Sequence, residues 1–231
     1  MSSAELFDYY ANGYDQALTQ ALSSSGEKRE YFAQGRVSWL TRCLSELGEV
    51  PSTVLDYGCG DGSTTPLLLA ASKAKYAVGV DVSEKSIENA RSLYSNSQLT
   101  YESVRDFQPS GEMDLAYCNG VFHHIPLIER AGAVAFVNSA LKLGGLFAFW
   151  ENNPWNPATR YVMSRCAFDG DAITLTPPEA RALLCAGGFE ILRTDFRFIF
   201  PRYLRFLRKL EGAVYRLPFG AQYQLLCRKI R

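Results

Sequence analysis

The sequence predicts a single α/β domain with a mostly parallel sheet. From residue 53 onward, short apolar runs typical of buried strands alternate with segments of helical periodicity. The first run ends in a turn with glycine at positions 58, 60 and 62, directly before a helix start. A chain of 231 residues with 47% hydrophobic residues suits one sizeable domain and is short for two. We therefore expect residues 1–231 to form one domain with insertions.

The turn Asp56-Tyr57-Gly58-Cys59-Gly60-Asp61-Gly62 has the features of a nucleotide-binding turn. Glycine permits positive φ angles and leaves backbone N–H groups open to a ligand, and the following helix adds its positive end. The spacing differs from the G-x-G-x-x-G pattern of dinucleotide-binding folds, and an acid stands two residues before the first glycine. A carboxylate there would repel a pyrophosphate and attract an ammonium group. The pattern therefore disfavours a nicotinamide-dependent oxidoreductase.

This turn resembles the first motif of the class I S-adenosylmethionine-dependent methyltransferases. The resemblance extends over about residues 50–196 and includes the segment Leu141-Lys142-Leu143-Gly144-Gly145-Leu146, although the family usually has proline where Leu143 stands. It implies a Rossmann-like seven-stranded sheet with helices on both faces, mostly parallel, with an antiparallel last strand at its edge. It also implies S-adenosylmethionine as the cofactor and methyl transfer as the reaction.

Polar residues at strand ends are the first candidates for binding the cofactor. Five successive predicted strands end at Asp56, Asp81, Asp106, Asn119 and Glu151, on the edge where open α/β sheets bind ligands. Asp81 follows Gly60 by 21 residues, the distance that places an acid at the end of the next strand to accept ribose hydroxyls. Its alternative role is to cap the following helix.

The resemblance completes the predicted cofactor site. Asp106 would accept the adenine amino group, with Val82 and Phe107 beside the ring. Arg36 would pair with the methionine carboxylate, or else it is an ordinary surface arginine. The predicted set is Arg36, Asp56, Gly58, Gly60, Asp81, Val82, Asp106, Phe107 and Asn119.

The two histidines of the chain, His123 and His124, are adjacent and follow the fourth predicted strand. Histidine is the side chain whose ordinary pKa allows proton abstraction near neutral pH, and Glu151 ends the neighbouring strand, where it could orient an imidazole base. These three residues are the predicted catalytic groups, and a base of this kind suits a hydroxyl or amine acceptor on a small molecule. We expect no metal, although the same three side chains could ligate one ion.

The segments around the core are expected to shape the acceptor pocket. Residues 1–48 are predicted to form a helical cap, 49–151 the cofactor-binding core, 152–175 a lid and 176–231 a C-terminal part with an amphipathic helix over 201–216. The predicted pocket residues are Tyr14, Tyr31, Phe122, Asn152 and Trp155.

Charge is unevenly distributed along a chain of zero net charge. Residues 193–231 carry 10 basic and 2 acidic side chains. The basic amphipathic helix could contact an anionic membrane or a lipid-linked substrate, or pack on the domain itself. A nucleic-acid substrate is disfavoured, because Asn119-Gly120-Val121-Phe122 stands where base-methylating members carry Asn/Asp-Pro-Pro-aromatic.

Two further expectations concern the location of the protein in the cell and the function that competes with catalysis. The six cysteines form no C-x-x-C pair and no apolar leader opens the chain, so we expect a cytoplasmic protein with reduced thiols. The rival to an enzyme is a cofactor-binding interaction module that has lost catalysis. The sequence leaves the acceptor and the oligomeric state open.

Overall fold

The computed structural model describes residues 26–166 and 169–231, which form one α/β unit around a seven-stranded sheet. The strand order is β3-β2-β1-β4-β5-β7-β6. Strands β1 to β5 pair in parallel, whereas β7 pairs antiparallel with both β5 and β6. The strands are β1 (Thr53–Tyr57), β2 (Tyr76–Asp81), β3 (Leu99–Ser103), β4 (Met113–Asn119), β5 (Leu141–Asn152), β6 (Phe189–Arg197) and β7 (Gln222–Lys229).

Helices cover both faces of the sheet, as the sequence predicts. They are α1 (Arg29–Leu47), α2 (Thr65–Ser72), α3 (Glu84–Tyr94), α4 (Arg130–Ala140), α5 (Pro157–Ser164), α6 (Pro177–Ala186) and α7 (Glu211–Val214), with 3₁₀ segments at Phe122–His124 and Arg202–Leu210. Side chains of α1, α2 and α3 pack in one buried cluster and those of α4 and α6 in the other. Successive strand residues such as Val54 and Leu55 enter opposite clusters, as strand geometry requires.

Local sequence signals explain where several elements begin and end. A capping box precedes α6: Thr176 accepts the N–H of Glu179, whose carboxylate accepts the N–H of Thr176. Ser83 caps α3 by accepting the N–H of Ser86. Gly48 ends α1 in the left-handed conformation, with a φ of 69°. The strand order, the antiparallel pairing of β7 and the helices on both faces confirm the predicted seven-stranded Rossmann-like fold with an antiparallel last strand.

The expected position of β7 is wrong. The sequence predicts it at the edge of the sheet, but it lies between β5 and β6, and β6 takes the edge. The reason is burial: Tyr223, Leu225, Leu226 and Cys227 are all fully buried, so consecutive side chains are covered on both faces of the sheet. Such a strand belongs inside a sheet.

The expected amphipathic helix over 201–216 is also wrong. A nine-residue 3₁₀ segment, Arg202–Leu210, stands there, with non-helical angles at Leu204, and only Glu211–Val214 is α-helical. Pro201 precedes the segment. Tyr203 and Phe206 in this segment are 73% and 70% exposed. Within the described residues no helix combines the length and the apolar character that a membrane crossing requires.

Replacing Gly58 by alanine tests the turn after β1. Gly58 has a φ of 74°, and a Cβ there would lie 2.2 Å from Cγ2 of Val121. We expect Gly58→Ala to lower the free energy of unfolding by about 1 to 3 kcal/mol or more, through backbone strain and this clash. The measurement is urea unfolding followed by circular dichroism.

The matched control is Gly132→Ala in α4. A Cβ at Gly132 meets nothing within 4 Å, and alanine favours a helix interior by up to about 1 kcal/mol. Equal unfolding midpoints for the two variants would contradict the structural account of Gly58.

Candidate active site

A cavity of about 610 Å³ opens at the carboxyl ends of β1, β4 and β5. The turn after β1, with Gly58 and Gly60, lines one side of it, and His123 and His124 line another. Its volume lies in the range usual for small-molecule sites. The aromatic rings of Tyr31 and Phe198 contribute to its wall.

The glycine turn presents open backbone to the cavity. Gly60 has a φ of 55°, and no atom lies within 4 Å of the place where its Cβ would be. Its N–H donates to Oδ2 of Asp81 at 2.8 Å, and Oδ1 of Asp81 accepts the N–H of Ser83 at 2.9 Å. Asp81 therefore holds both the turn and Ser83, the residue that caps α3. The alternative in which Asp81 itself caps this helix is wrong, because Ser83 is the N-cap.

Two buried ionisable residues, Asp56 and Arg36, line the cavity near the base of the turn. Asp56 is 2% exposed and accepts a hydrogen bond from Oγ1 of Thr65 at 2.8 Å. Burial raises the pKa of Asp56 to about 7, against the lowering effects of this hydrogen bond and of the Arg36 charge. Arg36 is 6% exposed and donates from Nε to the Tyr117 hydroxyl and from Nη1 to Oε1 of Gln222, each at 3.0 Å. Both of these acceptors are neutral.

The histidines lie in the short 3₁₀ helix Phe122–His124, which Glu151 attaches to the neighbouring strand. Oε1 of Glu151 accepts the N–H of Phe122 at 2.8 Å, and Oε2 lies 2.6 Å from Nδ1 of His123. Glu151 is 1% exposed, so the two strand ends are joined through a buried carboxylate. The structure thus brings two of the three predicted catalytic residues into direct contact.

Asp169 is a site residue that the sequence reasoning missed. Its Oδ1 lies 3.6 Å from Nε2 of His123 and 3.5 Å from Nε2 of His124. It comes from the insertion between β5 and α6, which has no periodicity that predicts which side chains face inward. The only signal was an acid in a segment expected to cover the pocket.

The two adjacent imidazoles have opposite electrostatic environments. Burial alone would lower the pKa of His123, but Glu151 and Asp169 raise it to about 10. Burial and the neighbouring charge of His123 lower the pKa of His124 to about 4, against the influence of Asp169. At neutral pH in the ligand-free protein, His123 is therefore an imidazolium and His124 a neutral imidazole.

The remaining predicted residues are distributed over several places. Asn119, Tyr31 and Asn152 line the cavity. Asp81, Val82, Asp106 and Phe107 are not among the lining residues. Asp81 and Val82 lie at the end of β2, and Asp106 follows the end of β3 by three residues, on the same edge of the sheet. Phe122 is fully buried and packs against Phe149, and Trp155 is 49% exposed. Tyr14 lies outside the described residues.

Comparison with known proteins finds a family match in the central part of the chain. Residues 54–145 match the family described as "Methyltransferase domain". This part of the chain holds the glycine turn and both histidines. Residues 54–145 form a methyltransferase domain. This match and the fold support the family predicted from the sequence, the class I S-adenosylmethionine-dependent methyltransferases.

Relatives of the methyltransferase domain include solved structures and curated proteins. A trans-aconitate 2-methyltransferase from Enterobacter sp. (strain 638) is 30% identical over 118 residues, which is 51% of this chain and 46% of that protein. The chain thus spans about half the length of the curated relatives it matches.

Two solved structures share the fold. An S-adenosylmethionine dependent methyltransferase from Mesorhizobium loti superposes with a TM-score of 0.61 at 22% identity, covering 85% of this chain and 100% of that one. Magnesium protoporphyrin IX methyltransferase from Synechocystis PCC 6803, solved with bound SAM, gives a TM-score of 0.62 at 19% identity, covering 99% and 97%.

The raised pKa of Asp56 predicts a pH-dependent stability. Because the folded-state value of about 7 exceeds the ordinary value of 3.8, the proton on Asp56 favours the folded state below about pH 4, and this contribution is lost as the pH rises through about 7. We expect Asp56→Asn, which keeps the shape without the charge, to gain up to about 4 kcal/mol of unfolding free energy relative to wild type between pH 4 and pH 8. Chemical unfolding at several pH values measures this.

Asp61→Asn serves as a control of opposite sign. Arg29 donates two hydrogen bonds to Asp61 and, with Ser63, lowers the pKa of this carboxyl despite its burial. Its contribution is present at neutral pH and is lost as the pH falls through the lowered pKa. A pH-independent difference between Asp56→Asn and wild type would contradict the assignment.

Proposed function

We propose that the chain transfers a methyl group from S-adenosylmethionine to a small-molecule acceptor in this cavity. The observation that carries the proposal is the charge arrangement at the base of the glycine turn. A buried carboxylate, Asp56, and a buried guanidinium, Arg36, both line the cavity there. Arg36 makes no ion pair with any of the described residues, so it is a buried cation suited to an anion of the ligand.

The methionine part of the cofactor has the complementary charges. Its ammonium group would bind Asp56, and its carboxylate would bind Arg36. The open backbone at Gly60 admits the chain of the ligand past the turn. The ribose would bind Asp81, since each carboxylate oxygen accepts more than one hydrogen bond, and the adenine would lie between Val82 and Phe107 with its amino group on Asp106.

The acceptor would occupy the side of the cavity lined by His123, His124 and Asp169. Because Glu151 holds Nδ1 of His123, we assign the role of base in the metal-free protein to His124. The acceptor's hydroxyl or amine gives its proton to His124, and the freed electron pair attacks the methyl carbon. The methyl–sulfur bond breaks, and its electron pair stays on sulfur as a neutral thioether.

The curated relatives support a small acceptor. They carry the name trans-aconitate 2-methyltransferase, which states a small organic molecule as their acceptor. A cavity of about 610 Å³ can hold ligands of that size. The acceptor is to be identified by incubating the protein with S-adenosylmethionine and small alcohols, amines or carboxylic acids, and by measuring which of them causes S-adenosylmethionine to be consumed.

Calorimetric titration with S-adenosylhomocysteine and with methylthioadenosine tests the cofactor site. The second compound keeps the adenosine and the thioether but lacks the amino-acid part. We expect Arg36→Met to weaken binding of S-adenosylhomocysteine by about 10- to 100-fold, because the charge-assisted hydrogen bonds to its carboxylate are lost. The Kd of methylthioadenosine should stay within about twofold of the wild-type value.

Arg42→Met is the matched control, because Arg42 lies on the same helix and pairs with Glu46 at the surface. It should bind both compounds as wild type does. The proposal is wrong if the wild-type protein binds neither compound, or if it binds NAD in their place.

A second candidate function, methyl transfer to a lipid-linked acceptor at a membrane, is supported by the surface around residues 202–210. We define the basic–aromatic face as the exposed side chains Arg202, Tyr203, Arg205, Phe206, Lys209 and Leu210. Tyr203 also lines the cavity, so this face reaches the cavity mouth. Exposed aromatic rings between cations suit the surface of an anionic membrane, and we propose that the acceptor is then carried by a lipid.

Vesicle flotation tests the membrane contact. The full chain should float with vesicles containing anionic lipid and not with purely zwitterionic vesicles, and about 0.5 M salt should release it. Arg205→Glu should abolish flotation. Lys75→Glu should not, because exposed Lys75 lies at the amino end of β2, away from the cavity. Equal flotation of both variants would reject a contact through this face.

A further inference from the structure

The His123, His124 and Asp169 side chains bring three metal-binding atoms together. One donor atom from each of these residues lies within 4.8 Å of the other two. The set consists of two imidazole nitrogens and one carboxylate oxygen, which is typical of sites for divalent first-row transition metals. All three residues line the cavity.

Two of the three separations between these atoms fit a single ion. Metal–ligand bonds of about 2.0 to 2.2 Å in a tetrahedral site place neighbouring donor atoms about 3.3 to 3.6 Å apart. Oδ1 of Asp169 lies 3.6 Å from Nε2 of His123 and 3.5 Å from Nε2 of His124. These separations are too long for good hydrogen bonds and have the length expected between two ligands of one ion.

A second observation points to a ligand at the same place. Oδ1 of Asp169 is completely buried and has no hydrogen-bond partner among the residues that the structure describes, and the Asp169 side chain is only 7% exposed. A buried carboxylate oxygen left without a donor carries a large desolvation cost. A cation bound between this oxygen and the two imidazoles removes that cost.

Glu151 supplies the outer contact that metal-binding histidines usually have. It lies 2.6 Å from Nδ1 of His123, which fixes the ring and directs Nε2 toward Asp169. Backbone N–H groups of Phe122 and Asn152 in turn donate to Glu151. The first ligand is therefore rigidly oriented before any ion binds.

We propose that His123, His124 and Asp169 bind a divalent transition-metal ion, with a fourth position open to the cavity. The ion takes the place of the proton on Nε2 of His123, which is released to water. The site has the composition of a three-ligand zinc centre, in which the open position takes water or substrate. Ion binding itself is independent of methyl transfer. The use of the ion in catalysis rests on the function proposed above.

In that reaction the ion would replace His124 as the activating group. A hydroxyl oxygen of the acceptor binds at the open position, and its proton leaves to water because the ion lowers the hydroxyl's affinity for it. The resulting oxyanion attacks the methyl carbon, and the methyl–sulfur bond breaks with its electron pair remaining on sulfur. The preferred acceptor is then an oxygen nucleophile. An acceptor with a second oxygen that also binds the ion would be favoured over one without it.

The test uses the full chain without a polyhistidine tag, stripped by a chelator and titrated with Zn²⁺ against a chromophoric competitor. We expect one ion per chain with a Kd below about 1 µM. Asp169→Asn should weaken binding by at least about 100-fold, and Glu151→Gln by about 10- to 100-fold. Replacing Zn²⁺ by Co²⁺ should give the visible absorption of a tetrahedral site in the wild type and not in Asp169→Asn.

Asp171→Asn is the matched control, since Asp171 is an exposed acid of the same segment. It should bind Zn²⁺ as the wild type does. Retained binding of S-adenosylhomocysteine by each variant shows that it is folded. The metal proposal is overturned if the wild type binds no Zn²⁺ below about 10 µM, or if Asp169→Asn binds as tightly as the wild type. Zn²⁺ binding without S-adenosylhomocysteine binding would instead reject the proposed function and keep the metal site.

Discussion

The glycine turn after β1 owes its position to the strand next to it. The carbonyl of Val80 accepts the N–H groups of both Gly58 and Cys59, at 2.8 and 3.0 Å, and the carboxylate of Asp81 accepts that of Gly60. Strand β2 is itself fixed by parallel pairing with β1 on one side and β3 on the other. The turn is thus attached to the middle of a sheet, and its free side faces the cavity. A ligand meets backbone groups that are already in place, which lowers the ordering cost of binding.

A second constraint joins the ends of β4 and β5. Burying a carboxylate such as Glu151 is costly unless hydrogen bonds and a positive partner offset the lost hydration. The N–H of Phe122 and the ring of His123 provide both, and they come from the segment that directly follows β4. The backbone of this segment is also bonded to the insertion, since the N–H of Ile173 donates to the carbonyl of His123 at 2.8 Å. The segment that holds the two histidines therefore also anchors the backbone near Asp169, whose side chain faces both imidazoles.

The sequence predicted what depends on local patterns and missed what depends on distant contacts. Strand ends are local features, and parallel strands place their carboxyl ends on one edge, so Asp56 and Glu151 could be assigned to that edge in advance. The place of β7 was misjudged because its run of consecutive apolar residues, a signal of burial on both faces, was not used. The interaction of Asp169 with the histidines could not be predicted, since its segment has no periodicity and meets them across more than forty residues of chain. The 3₁₀ conformation after Pro201 was equally hidden, because apolar spacing alone does not separate it from an α-helix.

The two sides of the cavity are built by different parts of the chain, and this separates their chemistry. Asp56 and the glycine turn belong to a strand–turn–helix unit whose geometry is set by the sheet. The opposite side depends on His124 and on Asp169, which an insertion outside the regular alternation of strands and helices delivers. A substitution in that insertion changes the groups on the histidine side of the cavity and touches none of the hydrogen bonds that Val80 and Asp81 make to the glycine turn. A framework of this kind can keep its glycine turn while the side chains delivered by the insertion vary.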